Sequence, residues 1–236
     1  MMGTARLIWS SRQCCKRATR LVRVCLTLGL LVIAACTRPL TPAESDFAEK
    51  LFGETLDTAP VRILSLPYWD PDAKDDAEIL RGTERACVRT PQPRGAQPPQ
   101  AFALGNGMHF SGSLQGSDMT LAWPKALRFP QAIIFAHEMT HVWQWQNRSW
   151  TGYTPWRALG ESIREPDPYF SETGQSPDFL GFGYEQQAAI VEDYVCFAFA
   201  NPTHPRRAEL RALLEAVFPV DAFDAAIDRE GLIPNE

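Results

Sequence analysis

Two histidines and a glutamate stand at the spacing that a metal-dependent hydrolase needs. In His137-Glu138-Met139-Thr140-His141 the histidines are four residues apart, so they share one face of an α-helix and can point at one ion. Imidazole nitrogen is a common zinc ligand. Glu138, one residue after the first histidine, reaches beside the ion, where it can take a proton from a zinc-acidified water. The pattern predicts a catalytic Zn²⁺ site with His137 and His141 as ligands and Glu138 as general base.

The residues around this motif favour a buried helix. Seven flanking or intervening positions carry no charge: Ile134, Phe135, Ala136, Met139, Thr140, Val142 and Trp143. A helix that holds zinc at the centre of a domain must be buried on nearly all sides, whereas an exposed chance match would carry charged side chains. The alternative is a pair of hydrogen-bonded core histidines without metal.

The motif and its flanks resemble the zincin superfamily of zinc metallopeptidases. The resemblance implies an α+β, zincin-like fold, with a small mixed sheet packed on the active-site helix and further helices towards the C-terminus. The metzincin extension would need Gly at position 144 and His at 147, but the chain has Gln144 and Asn147. The gluzincin-like branch instead takes a glutamate from a later helix as its third ligand.

Glu185 is the residue that we expect to be that third ligand. Catalytic zinc sites use three protein ligands, and Glu185 opens a predicted helix whose small apolar residues Ala188 and Ala189 allow close packing. Glu192 is the second choice. Gluzincins place Asp four residues after the ligand Glu, where this chain has Ala189, so support for a ligand is expected from Asp193 instead.

The stretches His-Glu-Met-Thr-His-Val-Trp-Gln and Glu-Gln-Gln-Ala-Ala-Ile-Val-Glu-Asp-Tyr also resemble a group of bacterial HExxH proteins labelled as related to Vgr or Rhs elements of secretion systems. The likeness covers roughly residues 100–200. The substrates of that group are largely undefined, so it adds little about the biological role.

The first 35 residues differ from the rest. They hold six basic and no acidic residues, and residues 24–35 form an apolar run. A basic stretch before a short apolar run is typical of a secretory signal, and a membrane-spanning helix needs roughly 20 residues. The run ends in Ile33-Ala34-Ala35-Cys36, which resembles the lipobox of bacterial lipoproteins. We predict that residues 1–35 are removed and that Cys36 is lipidated; an uncleaved anchor with a chance cysteine is the alternative.

Removal of the signal bears on location and partners. Six of the 23 basic residues leave, so 17 remain against 28 acidic residues and the net charge becomes −11. This argues against nucleic acid as a partner, since phosphate binding needs a basic face. The membrane is a partner through the lipid anchor, and Thr37 after the cysteine favours the outer over the inner membrane. Cys87 and Cys196 remain where disulfides are permitted; a bond between them and two buried thiols both stay open.

Local patterns predict the elements of one domain, residues 36–236. Thr41-Pro42-Ala43-Glu44 has the form of a capping box that starts a helix ending at Gly53. Strands are predicted at 61–66, 101–104, 107–110 and 119–123, and helices at 130–146, 184–200, 205–218 and 221–230. Residues 147–183 are rich in Pro, Gly, Ser and aromatic residues and predict a long irregular segment.

Several other residues of the sequence are of types that could have a functional role. His109, in a predicted strand, is interpreted as structural rather than as a fourth ligand, and His204 as part of a helix start. The tryptophans near the motif are interpreted mainly as core: Trp143, Trp145, Trp150 and Trp156. Glu161 and Glu165 are interpreted mainly as solvated charge. Tyr169, Tyr184 or Tyr194 could stabilise an oxyanion, and nothing in the sequence selects among them.

The function that these patterns favour is zinc-dependent hydrolysis of peptide bonds by a lipid-anchored protein of the cell envelope, with a peptide or protein as substrate. The first alternative is a non-catalytic zincin-fold lipoprotein that serves as a scaffold or secretion-system accessory. The second is a toxin-like protease that acts on another cell's protein. The sequence does not indicate the oligomeric state.

Overall fold

A computed structural model describes residues 37–64, 78–79, 87–91, 100–172 and 174–227. The predicted signal segment and Cys36 lie outside these residues. Contacts within the chain separate Met1–Thr37 from Arg38–Glu236, and apart from Thr37 everything described below belongs to the second unit. In the part of the chain that the structure describes, no helix is both long enough and apolar enough to cross a membrane.

Helix α1, Pro42–Phe52, begins at the predicted capping box. Thr41 Oγ1 accepts a hydrogen bond from the Glu44 amide (3.1 Å), and Glu44 Oε2 accepts one from the Thr41 amide (2.8 Å). Glu44 is fully buried, and its carboxylate also receives two bonds from the Arg38 guanidinium and one from the Met119 amide. A buried carboxylate with this many donors is well satisfied, and it joins the start of the helix to a distant turn.

The sheet is small and mixed, as predicted. Its four strands are β1 (Thr37–Pro39), β2 (Arg62–Leu64), β4 (Ala101–Leu104) and β5 (Gly107–Phe110), in the order β1-β2-β5-β4. β2 pairs parallel with β5, and β4 pairs antiparallel with β5, so β4 forms one edge. The short strands β3 (Glu78–Ile79) and β6 (Arg128–Phe129) form a separate antiparallel pair.

Residues 119–123, predicted as a strand, form turns instead. The Thr120 amide bonds to the Asp118 side chain, and the Trp123 amide bonds to the Thr120 carbonyl. Ala122 has a φ of 79°, a left-handed conformation that no strand contains. The prediction was wrong because Asp118 offers the backbone a local hydrogen bond that competes with a ladder.

The central helix α2, Gln131–Gln146, carries the motif. Residues on all of its sides are buried, including Phe135, Val142 and Trp143, as the uncharged flanks predict. It packs against β4 on one side and against helix α5, Tyr184–Ala200, on another. The bounds of both helices agree with the prediction.

The predicted irregular segment, 147–183, contains two helices, α3 (Arg148–Thr151) and α4 (Pro155–Arg164). Helix α4 packs against α5. Its start carries the same signal as α1: Thr154 Oγ1 accepts from the Arg157 amide, and Pro155 takes the first helical position. This signal was present in the sequence, but the surrounding glycines and prolines obscured it.

Helices α6 (Pro205–Leu214) and α7 (Val220–Ala226) complete the domain. Both end earlier than predicted, because α6 gives way to a turn at Glu215 and α7 ends at Ala226. The predicted helical residues 228–230 lie outside the described part of the chain. Among the described residues the fold is therefore seven helices and a four-stranded mixed sheet, which confirms the coarse α+β prediction.

Candidate metal centre

His137 and His141 lie one turn apart on α2, and their rings are buried with centroids 5.0 Å apart. The i,i+4 spacing alone produces this pairing, because such residues are neighbours on a helix surface. Glu185, in the first turn of α5, completes the group. Its Oε2 is 3.4 Å from His137 Nε2 and 3.2 Å from His141 Nε2.

The donor atoms of His137, His141 and Glu185 lie within 4.8 Å of one another. Tetrahedral zinc with bonds of about 2.0–2.2 Å places ligand atoms roughly 3.4 Å apart. The two histidine–glutamate distances match that spacing. Two imidazoles and a carboxylate are also a common ligand set of catalytic zinc. The residues present therefore fit a zinc ion.

His141 is oriented by a network of uncharged amides. Its Nδ1 is 2.8 Å from Gln144 Oε1. The Gln144 amide nitrogen donates to the Tyr184 carbonyl (3.1 Å) and to Gln187 Oε1 (3.0 Å), while Gln187 Nε2 donates to the Phe182 carbonyl (2.8 Å). These bonds fix the Gln144 oxygen towards the ring, so Nδ1 must carry the proton. Nε2, on the Glu185 side, is then the nitrogen with a lone pair for a metal.

His137 is oriented by a carboxylate. Its Nδ1 is 3.0 Å from Glu192 Oε2, and Nε2 faces Glu185. Glu192, the second choice for the third ligand, thus lies behind the ring. Asp193, expected to support a ligand, bonds to Arg89 instead. The physical reason is helical phase: Glu192 is seven residues, or two turns, after Glu185 and shares its face, while Asp193 is rotated by about a further 100°.

Glu138 is buried beside the two histidines, and its Oε2 has no hydrogen-bond partner among the described residues. Buried polar atoms are nearly always paired. An unpaired carboxylate oxygen is expected where a water molecule or an ion binds. Beside the clustered donor atoms of His137, His141 and Glu185, it is a second observation that fits a metal centre.

The electrostatics of the group favour a cation. Burial lowers the pKa of His137, but hydrogen bonds with Glu185 and Glu192 outweigh it and raise that pKa to about 10. Burial opposes the charge of Glu185 as well, yet the adjacent His141 and His137 hold its pKa well below the usual range. Burial raises the pKa of Glu138 to about 7. Carboxylates that draw protons onto both rings also attract a divalent ion in place of those protons.

Helix α4 holds Glu185 from the far side, a contact that the sequence analysis did not predict. Ser162 Oγ is 3.2 Å from Glu185 Oε1, and Glu161 Oε2 accepts a 2.6 Å hydrogen bond from the Tyr184 amide. The prediction that Glu161 is mainly solvated charge was therefore wrong. Its carboxylate stabilises the first turn of α5, where free amides and the helix dipole favour an anion.

Two tyrosines contact the histidines. The ring of Tyr169 is 5.7 Å from that of His137, and the ring of Tyr153 is 6.1 Å from that of His141. Tyr153 is buried, and the sequence did not predict a role for it. Only its closeness to the motif in sequence could have indicated one. The Tyr184 and Tyr194 hydroxyls are bonded to the Thr151 carbonyl and to Asp224.

The remaining candidates lie outside the group. His109 stacks on Phe102 in the sheet, and His204 Nδ1 accepts from the Arg206 amide at the start of α6, as predicted. Trp143 is core. Trp150 and Trp156 are not, since they are 50% and 80% exposed. They stand on α3 and α4, the helices that the sequence analysis missed, so their outward positions could not be inferred.

Cys87 and Cys196 are joined by a disulfide with a Cα–Cα distance of 5.5 Å. Cys196 lies on α5, one turn after Glu192, and Cys87 lies in the described segment 87–91. The bond therefore connects that segment to the helix that carries Glu185, the candidate third ligand.

The fold and the site together define a protein with a buried His-His-Glu donor set on two packed helices and a carboxylate beside it. No family model and no curated protein matches the chain. Among solved structures, the effector domain of VgrG2b from Pseudomonas aeruginosa is similar at 23% identity, over 76% of this chain and 83% of that chain, with a TM-score of 0.42. A likeness at this level carries no argument about activity, substrate or partner.

Proposed function

We propose that this protein is a zinc-dependent peptide hydrolase of the zincin superfamily, in its gluzincin-like branch. The observation that carries the proposal is the convergence of His137, His141 and Glu185 from two helices, with the unpaired carboxylate oxygen of Glu138 beside them. The central position of α2, between β4 and α5, supports a zincin-like fold.

His137, His141 and Glu185 are the residues that would hold zinc, which supplies a Lewis acid that polarises the scissile carbonyl and acidifies a water molecule. Glu138 acts as the general base, taking a proton from the attacking water and returning it to the leaving amine. Burial raises the pKa of Glu138 to about 7 without an ion, and an adjacent Zn²⁺ would lower it, which favours the deprotonated form that a general base needs. Glu192 and Gln144 keep the two rings turned towards the site.

Tyr169 is the tyrosine that we assign to the developing oxyanion. Of the three tyrosines that the sequence offered, Tyr184 and Tyr194 have hydroxyls bonded elsewhere. The ring of Tyr169 lies beside His137 and is partly exposed, as a group that meets a substrate must be. A tyrosine hydroxyl can donate to the oxyanion as charge develops.

The substrate that we propose is a peptide or protein segment in extended conformation. β4 is an edge strand packed against α2, and an exposed edge offers main-chain donors and acceptors to an added strand. Helix α2, which carries the motif and packs against β4, then lies beneath the bound main chain.

The location that we propose is the cell envelope, with Cys36 lipidated and the outer membrane favoured over the inner. The Cys87–Cys196 bond supports export, because disulfides persist in oxidising compartments. Mass spectrometry of the N-terminus of the purified protein tests this. We expect an acylated Cys36; an unmodified Cys36, or an intact Met1, contradicts it.

The test of the activity is the Glu138→Gln variant of the full chain, incubated with a complex peptide mixture and analysed by mass spectrometry. The parent should cleave peptides and bind about one zinc, the content of a single three-ligand site. The variant should keep the zinc and lose cleavage. Glu172→Gln, at an exposed glutamate, is the matched control and should behave like the parent. Cleavage by Glu138→Gln contradicts the proposal; zinc binding without any cleavage by the parent favours the scaffold alternative.

A further inference from the structure

Arg89 bridges two neighbouring carboxylates of α5. One of its terminal nitrogens is 3.1 Å from Glu192 Oε2 and 2.9 Å from Asp193 Oδ1, and its Nε is 3.4 Å from Asp193 Oδ2. Consecutive carboxylates this close repel each other unless a cation lies between them. All three side chains are mostly buried but keep 13–25% of their surface exposed, so salt screens the interaction only in part.

Arg89 and His137 meet at one atom. Glu192 Oε2 is 3.1 Å from the Arg89 guanidinium and 3.0 Å from His137 Nδ1. An ion pair and a hydrogen bond therefore connect Arg89, through a single carboxylate oxygen, to a ring of the candidate metal centre. Partners behind a ligand histidine fix its orientation and tautomer.

The disulfide holds Arg89 in place. Cys87 is two residues before Arg89, and Cys196 is four residues, about one helical turn, after Glu192. The bond thus fastens the segment 87–91 to α5 within one turn of the carboxylates that Arg89 contacts. A guanidinium bridge needs this placement, because its fork is rigid and directional.

We propose that Arg89 is a positioning residue for the metal centre: fastened by the Cys87–Cys196 bond, it holds Glu192 against His137 Nδ1 so that His137 Nε2 faces the ion. This rests on the proposed zinc site. Without Arg89, Glu192 is repelled by Asp193 and turns away, and His137 loses the acceptor that fixes its ring. Zinc affinity then falls although all three ligands remain.

The test compares zinc affinity, measured by competition with a chromophoric chelator, in the full chain and three variants. Arg89→Gln should weaken binding about 10-fold, the low end of the loss when an outer partner is removed. Arg89→Lys should recover part of it, since lysine restores the charge but not the fork. Arg207→Gln removes another partly buried ion pair, with Asp224, and should leave affinity unchanged.

An NMR measurement separates positioning from a general loss of stability. The hydrogen-bonded imidazole N–H of His137 should give a slowly exchanging downfield proton signal in the parent and in Arg207→Gln. In Arg89→Gln that signal should be broadened or lost while the dispersion of the amide spectrum is retained. An unchanged signal together with unchanged zinc affinity overturns the proposal. If the parent itself binds no zinc, the proposed function fails first.

A double-mutant cycle tests the part played by the disulfide. Cys87→Ala with Cys196→Ala should weaken zinc binding about as much as Arg89→Gln, and adding Arg89→Gln should then change affinity by less than about 3-fold, because coupled residues are not additive. If the cysteine-free chain does not fold, the parent and Arg89→Gln are compared before and after reduction. Full additivity in either version means that the disulfide acts on the fold alone, which contradicts the proposal that it holds Arg89 in place.

Discussion

The two histidines of the candidate metal centre have different kinds of support. His141 is bonded to Gln144, one turn further along the same helix, and that amide is fixed by Gln187. His137 is bonded to Glu192, whose charge is balanced by Arg89 from a segment about 100 residues away in sequence. One support is neutral, local and buried; the other is charged and assembled from distant parts of the chain.

Because of this difference, we expect ionic strength and reduction of the disulfide to affect the orientation of the two rings differently. A neutral amide network within two packed helices has no net charge to screen, so ionic strength should leave it unaffected. The charged support of His137, formed by Glu192 and Arg89, is only mostly buried and should weaken as salt rises. By our proposal it also depends on the Cys87–Cys196 bond, which persists in oxidising compartments. The site would then combine a support that needs no disulfide with one that does.

The largest effect is expected where the two supports meet, at the shared ligand. Glu185→Ala should lower zinc affinity by more than the roughly 100-fold that loss of an outer partner costs, because it removes a ligand and leaves the two rings without a common carboxylate. Glu172→Ala, at an exposed glutamate, is the matched control and should retain the affinity. Circular dichroism checks folding. Parent-like binding by a folded Glu185→Ala chain would place the third ligand elsewhere.

Much of this centre was predictable because it rests on local patterns. The i,i+4 histidines and the small residues after Glu185 identify the candidate ligands without tertiary information. The Glu192 and Gln144 partners also follow helical spacing, at seven residues from Glu185 and three from His141. Arg89 could not be found in this way. Its role depends on a chain path that only the folded structure contains.

The fold was predicted less evenly, for similar reasons. Helix α1 was identified from its capping box, and strands β4 and β5 from the turn residues around them. Helix α4 was missed because glycine and proline around it outweighed its Thr154-Pro155 start. Residues 119–123 were predicted as a strand because most of them are apolar, but Asp118 fixes them as turns and Leu121 is 53% exposed. Apolar composition alone determined neither the backbone geometry nor the burial of this segment.

Intermediate effects should separate the two supports directly. Glu192→Ala and Gln144→Ala should each lower zinc affinity about 10–100-fold. Gln144→Ala should lower the free energy of unfolding by about 1–3 kcal/mol, since Gln187 Oε1 and the Tyr184 carbonyl lose their buried donor. Glu192→Ala should lower it less, because Arg89 keeps Asp193 as a partner. Chelator competition and urea denaturation measure the two quantities.

Salt sharpens the same comparison. The affinity difference between the parent and Glu192→Ala should shrink between low and high ionic strength, whereas that between the parent and Gln144→Ala should stay constant. Two variants with the same salt response and the same stability would show that the supports do not differ in kind.

The smallest effect is expected from Ser162, which touches the shared ligand from α4. Its hydroxyl lies 3.2 Å from Glu185 Oε1 but also 3.1 Å from the Ala158 carbonyl, so its one proton is divided between two acceptors. Ser162→Ala should reduce zinc affinity by about 3–10-fold, equivalent to roughly 1 kcal/mol for one hydrogen bond. The exposed Ser149→Ala serves as the control. A loss as large as that of Glu185→Ala would mean that α4, and not the histidine supports, determines the geometry of the centre.

The central claim is that His137, His141 and Glu185 bind one zinc ion while Glu138 stays beside it, and a crystal structure of the zinc-soaked protein with anomalous diffraction at the zinc edge tests it most directly. We predict one strong anomalous peak about 2.0–2.2 Å from His137 Nε2, His141 Nε2 and a Glu185 carboxylate oxygen, with Glu138 outside bonding distance. The account is contradicted if no peak is present at saturating zinc, or if Glu138 or Glu192 coordinates the ion in place of Glu185.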